Sequence, residues 1–410
     1  MTVHSLTERL AQHLARDVAQ DVRTTARLHL LDWLGCVAGA RKGEMAQIGR
    51  RAEPDVLTRA ALLGNVLEMD DVHRAAVLHP GPAVWPSALS AAREVGAGMD
   101  VLLGGAVAGY EAMIAIGATL DAFHYARWHP TATAGGFGGA AAAARVFGLC
   151  VEATADALGH AGSLAGGLWR LRHEAGVTKQ LHAAQASLTG LWHARLARAG
   201  ARAPRRILEG EQGLYAAMTA TPKPMILGHG WRIAEVSFKP WGACRHAHPA
   251  IDAALGLDAL DGPILVETYR DALTFCDRPH PTTVLEAKFS LQHAAAVVAT
   301  RGAPQLADFE PDAIAALAEA RARVTVREDA TITARYPQHF GARVTAGGRS
   351  VERIDTLGDP ERPLGRDGVI TKANSLMAWG GVAEDADAAT AACLEGDDPA
   401  RVIALLERWT

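Results

Sequence analysis

The sequence predicts a mostly α protein: a large all-helical domain with an inserted smaller α+β lid domain. Three observations predict it. Apolar residues recur at helical spacing through roughly the first 235 residues. Alternating, strand-like runs begin near residue 236 and continue to about 366. Helical spacing then returns in the tail. The organisation that follows is 1–235 as the helical domain, 236–366 as the α+β domain, and 367–410 as helices rejoining the first.

The elements follow in order. Leu6 to Ala19 places Leu6, Leu10, Leu14 and Val18 on one helical face. Val22 to Ala40 continues with Leu28, Leu31, Leu34 and Val37, with Gly39 as a stop. Ala83–Val95, Gly135–Phe147, Val151–Leu164 and Leu181–Arg198 are helical too. Val101–Leu120 is nearly all apolar and about the length of a bilayer span. Glu111 stands at its centre and no Lys/Arg-rich flank orients it, so it reads as a buried core helix. Gly105 and Gly109 then mark close helix packing. In the inserted domain, Val236–Lys239, Ile264–Tyr269, Val284–Ser290 and Arg321–Arg327 have strand character. Gly341–Thr345 and Ser350–Ile354 flank Ala346-Gly347-Gly348-Arg349, a hairpin signal.

Composition limits the function. The chain has 410 residues, 49% apolar and 21% charged, with a formal net charge of −4. It has no basic block and only 5% aromatics, which excludes a nucleic-acid groove. The five cysteines form no C-x-x-C pair, so there is no disulfide scaffold or local zinc spacing. No apolar leader precedes Asp17, and a cytoplasmic protein with no membrane partner is expected. H-E-x-x-H, P-loop and G-x-S-x-G motifs are absent.

The chemistry concentrates in four histidine clusters. Glu68-Met69-Asp70-Asp71-Val72-His73 precedes Leu78-His79-Pro80, where a carboxylate near a histidine can orient the ring. Trp128-His129-Pro130 leads into a Gly-rich helix start whose free N–H groups can hold a carboxylate. Thr178-Lys179-Gln180-Leu181-His182 is the third. The fourth is Ser237-Phe238-Lys239-Pro240 with Cys244-Arg245-His246-Ala247-His248-Pro249. Cys244, His246 and His248 alternate like ligands on one strand face, but no further ligand spacing accompanies them, and no metal is expected. Histidine bases with cationic side chains and no cofactor motif point to proton transfer beside a carboxylate. That covers eliminating lyases, decarboxylases and epimerases.

At these clusters the sequence resembles the MmgE/PrpD family, which includes 2-methylcitrate dehydratase, cis-aconitate decarboxylase and iminodisuccinate epimerase. Leu31-Asp32-Trp33-Leu34-Gly35 resembles its L-D-x-x-G, and Asp70-Asp71-Val72-His73 with Leu78-His79-Pro80 its D-D-T-H and H-P-S stretch. His129-Pro130-Thr131-Ala132-Thr133-Ala134-Gly135 resembles H-P-T-x-T-A-G, and Thr178-Lys179-Gln180-Leu181-His182 resembles T-K-x-L-H. Ser237-Phe238-Lys239-Pro240, His248-Pro249-Ala250-Ile251-Asp252, Ala287-Lys288-Phe289-Ser290-Leu291 and Gly358-Asp359-Pro360-Glu361-Arg362-Pro363-Leu364 match four later motifs in order.

The resemblance implies a cofactor-free, metal-independent homodimeric enzyme acting on a small carboxylate. It makes His79, His129, Lys179 and Lys239 the catalytic set. Glu68, Asp71, His73, His182, Arg245, His248 and His293 become substrate-binding candidates. The chain departs from the pattern at Glu68 (Asp in the family), Val72 (Thr), Gly81 (Ser) and His293 (Tyr). The expected function is a lyase, dehydratase or decarboxylase, on a di- or tricarboxylate. An epimerase and a non-catalytic carboxylate binder are the alternatives.

Overall fold

The computed structural model describes residues 4–174 and 176–410, with Arg172 described by its backbone alone. The protein is mostly α, 59% helix and 6% strand. It divides into two compact units. The first comprises residues up to Val66, Asp70–Val236 and Arg366–Thr410; the second comprises Leu67–Met69 and Ser237–Gly365.

Among the described residues, the first unit opens with the helices α1 Leu6–Leu14, α2 Gln20–Ala40, α3 Glu44–Ala52, α4 Val56–Leu63, α5 Pro80–Val95, α6 Met99–Gly117, α7 Ala122–Tyr125, α8 Pro130–Val146, α9 Val151–Ser163 and α10 Thr178–Arg198. Ser5 starts α1 with a capping box to Glu8, satisfying two otherwise orphaned N–H groups. Both α5 and α8 start with His followed by Pro at the first helical position. Proline loses nothing there, because that N–H has no intrahelical partner and its φ is already helical. Gly96 ends α5 in the left-handed conformation (φ 64°).

Gly and Ala let α6, α8 and α10 approach closely. A Cβ on Gly109 would lie 2.8 Å from the Gly138 carbonyl oxygen, and one on Gly190 would lie 2.6 Å from the Ala140 nitrogen. Helix α6 is long and apolar enough to cross a bilayer, yet 89% of that stretch is buried inside the protein. Its Glu111 is satisfied by His13 Nε2 at 2.9 Å and by the Arg232 backbone N–H at 2.8 Å. The C-terminal segment packs back on this unit. Lys372, in the helix Gly365–Gly380, puts its Nζ 2.5 Å from Asp32 Oδ1, and both residues are buried.

The second unit holds a four-stranded sheet of order β2-β1-β3-β4. Strand β1 (Ile264–Thr268) pairs parallel with β2 (Val324–Glu328) and antiparallel with β3 (Ala342–Ala346); β3 pairs antiparallel with β4 (Arg349–Arg353). Gly347 and Gly348, both at positive φ, make the two-residue turn between β3 and β4. Ile264 and Val266 of β1, with Ala342, Val344 and Ala346 of β3, join Ile251, Leu291 and Phe309 in the core.

Local expectations are corrected: α5 starts at Pro80 and α8 at Pro130, ahead of Ala83 and Gly135, and Arg321 belongs to the helical turn Ala318–Ala322, leaving the strand to begin at Val324. The first helix stops at Leu14, and a new one starts at Gln20. Val284–Ser290 alternates in sequence but folds as the helical turn Val284–Lys288, because Thr283 and Glu286 form a capping box. Val236–Lys239 is not among the four strands of the sheet: it carries an isolated bridge at Ser237, and the Phe238 N–H donates to the Gly358 oxygen at 3.0 Å.

Burial sets an acid limit. It pushes the pKa of His124, His193 and His293 down to about 4. The folded state therefore keeps them neutral while the unfolded chain takes up protons below about 6.5. Stability is full above about 6.5 and is lost as the pH falls toward about 4. Melting scanned from about pH 7 to about pH 5 should show a falling midpoint, less steep in His193→Leu. A midpoint flat across that window contradicts the assignment.

Candidate active site

In the first unit the two His-Pro dipeptides place an imidazole at the N-terminus of α5 and of α8. Neither ring caps its own helix, so each side chain is turned to other partners. The His79 backbone N–H donates to Thr131 Oγ1 at 3.1 Å, which sets the two helix starts side by side.

His79 Nδ1 lies 2.9 Å from Asp70 Oδ2 and 3.1 Å from the Asp71 carbonyl oxygen. Both partners only accept, so Nδ1 carries the proton and Nε2 offers a lone pair. Asn65 Nδ2 donates to the same Asp70 Oδ2 at 2.7 Å and fixes that carboxylate. His129 Nδ1 stands 3.2 Å from His182 Nδ1, one ring donating and the other accepting. The Trp169 ring lies 4.4 Å from the His129 ring. Burial lowers the His182 pKa. Lys179 is half-buried in the first turn of α10, three residues before His182. The fold thus brings together His79, His129 and His182 at neighbouring helix ends, two proton-transfer groups beside helix N-termini that favour an anion.

Asp71 and His73 are engaged inside the unit. Asp71 accepts from His29 Nδ1 (2.8 Å), Tyr110 Oη (2.5 Å) and the Gly81 N–H (2.9 Å). Gly81 is required there, since a Cβ would come within 2.7 Å of Asp71 Oδ1. His73 Nε2 meets Glu235 at 3.0 Å and Nδ1 accepts from the Ala76 N–H at 3.1 Å. Burial lowers the His73 pKa.

In the second unit Lys239 is fully buried, with its Nζ 3.7 Å from Glu68 Oε2. Arg245 Nη2 reaches both Asp359 oxygens at 2.6 and 2.8 Å, and Ser237 Oγ donates to Asp359 Oδ1 at 2.6 Å. The Cys244–His248 stretch is not a strand: Arg245–Ala247 form a 3₁₀ turn and His248 opens the next helix. The ligand-like alternation is thereby lost. His246 Nδ1 turns to Tyr269 Oη (2.7 Å), and His248 Nε2 to the Ala243 oxygen (3.1 Å). His293 is fully buried, with Nε2 on the Asp308 oxygen (2.8 Å) and Nδ1 facing Arg321 Nη1 (3.2 Å). It packs the unit's interior instead of presenting a ring nitrogen.

Sequence reasoning chose Asp71 over Asp70 for the candidate set and missed Asn65, Thr131 and Trp169. The adjacent Asp70-Asp71 pair was the available signal: one carboxylate reaches His79, the other His29, Tyr110 and the Gly81 N–H.

The chain thus holds a helical unit with paired His-Pro helix starts and an α+β unit with a buried lysine. The N-terminal domain of the MmgE/PrpD family matches residues 58–226 and its C-terminal domain matches residues 241–396. The chain belongs to the MmgE/PrpD family. It is similar to cis-aconitate decarboxylase of Homo sapiens, 27% identical over 63% of this chain and 59% of that protein. It is also similar to the cis-aconitate decarboxylase-like protein oryM of Aspergillus oryzae (27%, 58% of this chain and 57% of that one) and to cis-aconitate decarboxylase of Aspergillus terreus (26%, 59% and 57%). The chain matches less than two thirds of the length of these curated relatives.

Proposed function

We propose that the protein is a cofactor-independent lyase that moves a proton at the carbon next to a carboxylate of a small di- or tricarboxylate. The observation that carries this is the pairing at the helix starts, His79 with Asp70 and His129 with His182, linked by His79 N–H to Thr131. The decarboxylase names of the relatives support the class.

In a decarboxylation, the bond to one carboxylate breaks, carbon dioxide leaves, and a histidinium returns a proton to the carbon that takes the electron pair. In a dehydration, one histidine removes the proton alpha to a carboxylate and the other protonates the departing hydroxyl. Lys179 and Lys239 carry the carboxylate-binding role that the family resemblance gives them. Two bases on one carbon equally suit an epimerase, which inverts a centre without loss of mass. We extend the proposal to a cytoplasmic homodimer, as that resemblance implies.

Proton NMR in D₂O, with chelator present, tests the reaction. The protein is incubated with cis-aconitate, 2-methylcitrate, citrate and iminodisuccinate. Loss of one acid with deuterium at its alpha carbon is the expected result. An unchanged spectrum for all four, at high enzyme concentration, counts against the lyase and the epimerase together.

A further inference from the structure

Glu68 and Lys239 are both buried, at 3% and 0% exposure, and both belong to the second unit. An ammonium without exposure needs a counter-charge, and Glu68 Oε2 stands 3.7 Å from its Nζ. The backbone at Glu68 has φ 57°, a left-handed conformation that is strained for a non-glycine residue. Strain of this kind persists only where the surroundings hold it. They do so here: Lys288 Nζ donates to the Leu67 oxygen at 3.0 Å, anchoring the residue just before the turn. A glycine would adopt this turn freely, yet the chain keeps a glutamate whose carboxylate reaches the lysine.

We propose that the Glu68 carboxylate occupies, from within the chain, a carboxylate subsite formed by Lys239, so that the substrate is a dicarboxylate in preference to a tricarboxylate. This rests on the lyase reading above for the role of Lys239, and it narrows the substrate class. With the ammonium already compensated, a substrate carboxylate brought to the same place meets Glu68 and is repelled.

The test opens the subsite. Glu68→Gly removes the carboxylate and suits the left-handed turn, and Glu68→Gln keeps the shape without the charge. Acetate or formate should raise the melting temperature of Glu68→Gly well beyond its effect on wild type, with chloride at matched ionic strength as the control. Adding Lys239→Met should abolish that response. In turnover, the ratio of kcat/KM for tricarboxylates to that for dicarboxylates should rise ~10-fold or more in Glu68→Gly and Glu68→Gln. An equal acetate response in wild type and Glu68→Gly, or one that survives Lys239→Met, overturns the proposal. If Glu68→Gly does not fold, an unchanged ratio in Glu68→Gln overturns it. If no acid is turned over by any variant, the lyase reading fails, while the acetate response still decides the subsite.

Discussion

Alanine at His79 or at His129 lowers turnover by ~10²-fold or more, the usual share of a positioned acid or base. Secondary structure is retained in both, because neither imidazole caps its helix and the following proline fixes the first turn regardless. The loss falls on kcat, since the imidazoles act on the proton in flight. Single-turnover kinetics on the acid identified by NMR, alongside circular dichroism, measures both. Wild-type turnover in both variants removes the histidines from the mechanism. Loss of helix with loss of activity would assign them a structural role.

The second large effect is on stability. Asp71→Ala should cost ~3–5 kcal/mol, the range for removing one partner from a buried charged cluster. It strands three donors at once: His29 Nδ1, Tyr110 Oη and the Gly81 N–H at the start of α5. Burial and the neighbouring Asp71 charge hold the Tyr110 pKa well above its ordinary value, so the phenol keeps its proton and goes on demanding an acceptor. Asp71→Asn should cost less, because its amide oxygen still accepts from one of the three. Denaturant unfolding followed by tryptophan fluorescence reads the difference. Equal stability of wild type and Asp71→Ala contradicts the role given to Asp71.

Much of this was legible in the residues. The helices α5 and α8 are legible, but their starts are not: the small-residue pattern opens them at Ala83 and Gly135, whereas proline fixes the entrances earlier, at Pro80 and Pro130. The Gly347-Gly348 hairpin was equally local. Val284–Ser290 failed because one alternating heptapeptide fits either state, and the deciding signal was the Thr283/Glu286 box beside it. The division of labour in the candidate site was less accessible. Asp70 and Asp71 are chemically identical, and only the packing of α2, α5 and α6 around Asp71 separates them. His293 carries the same ring as His79, but the Asp308 carbonyl and Arg321 claim its nitrogens through contacts distant in sequence.

The buried pair of Asp32 and Lys372 governs the order in which the chain can mature. Burial raises the Asp32 pKa and the lysine opposes that rise, so a buried, ionised Asp32 depends on its cation. During synthesis Asp32 emerges tens of seconds before Lys372, at roughly 5–20 residues per second. Through that interval α2 cannot bury an ionised Asp32 without uncompensated cost. Meanwhile all of Ser237–Gly365 has been made. The unit begun first is therefore the one finished last, and the helix Gly365–Gly380 is its latch. A released chain ending just before Lys372 should leave the helical unit open to protease while Ser237–Gly365 resists it.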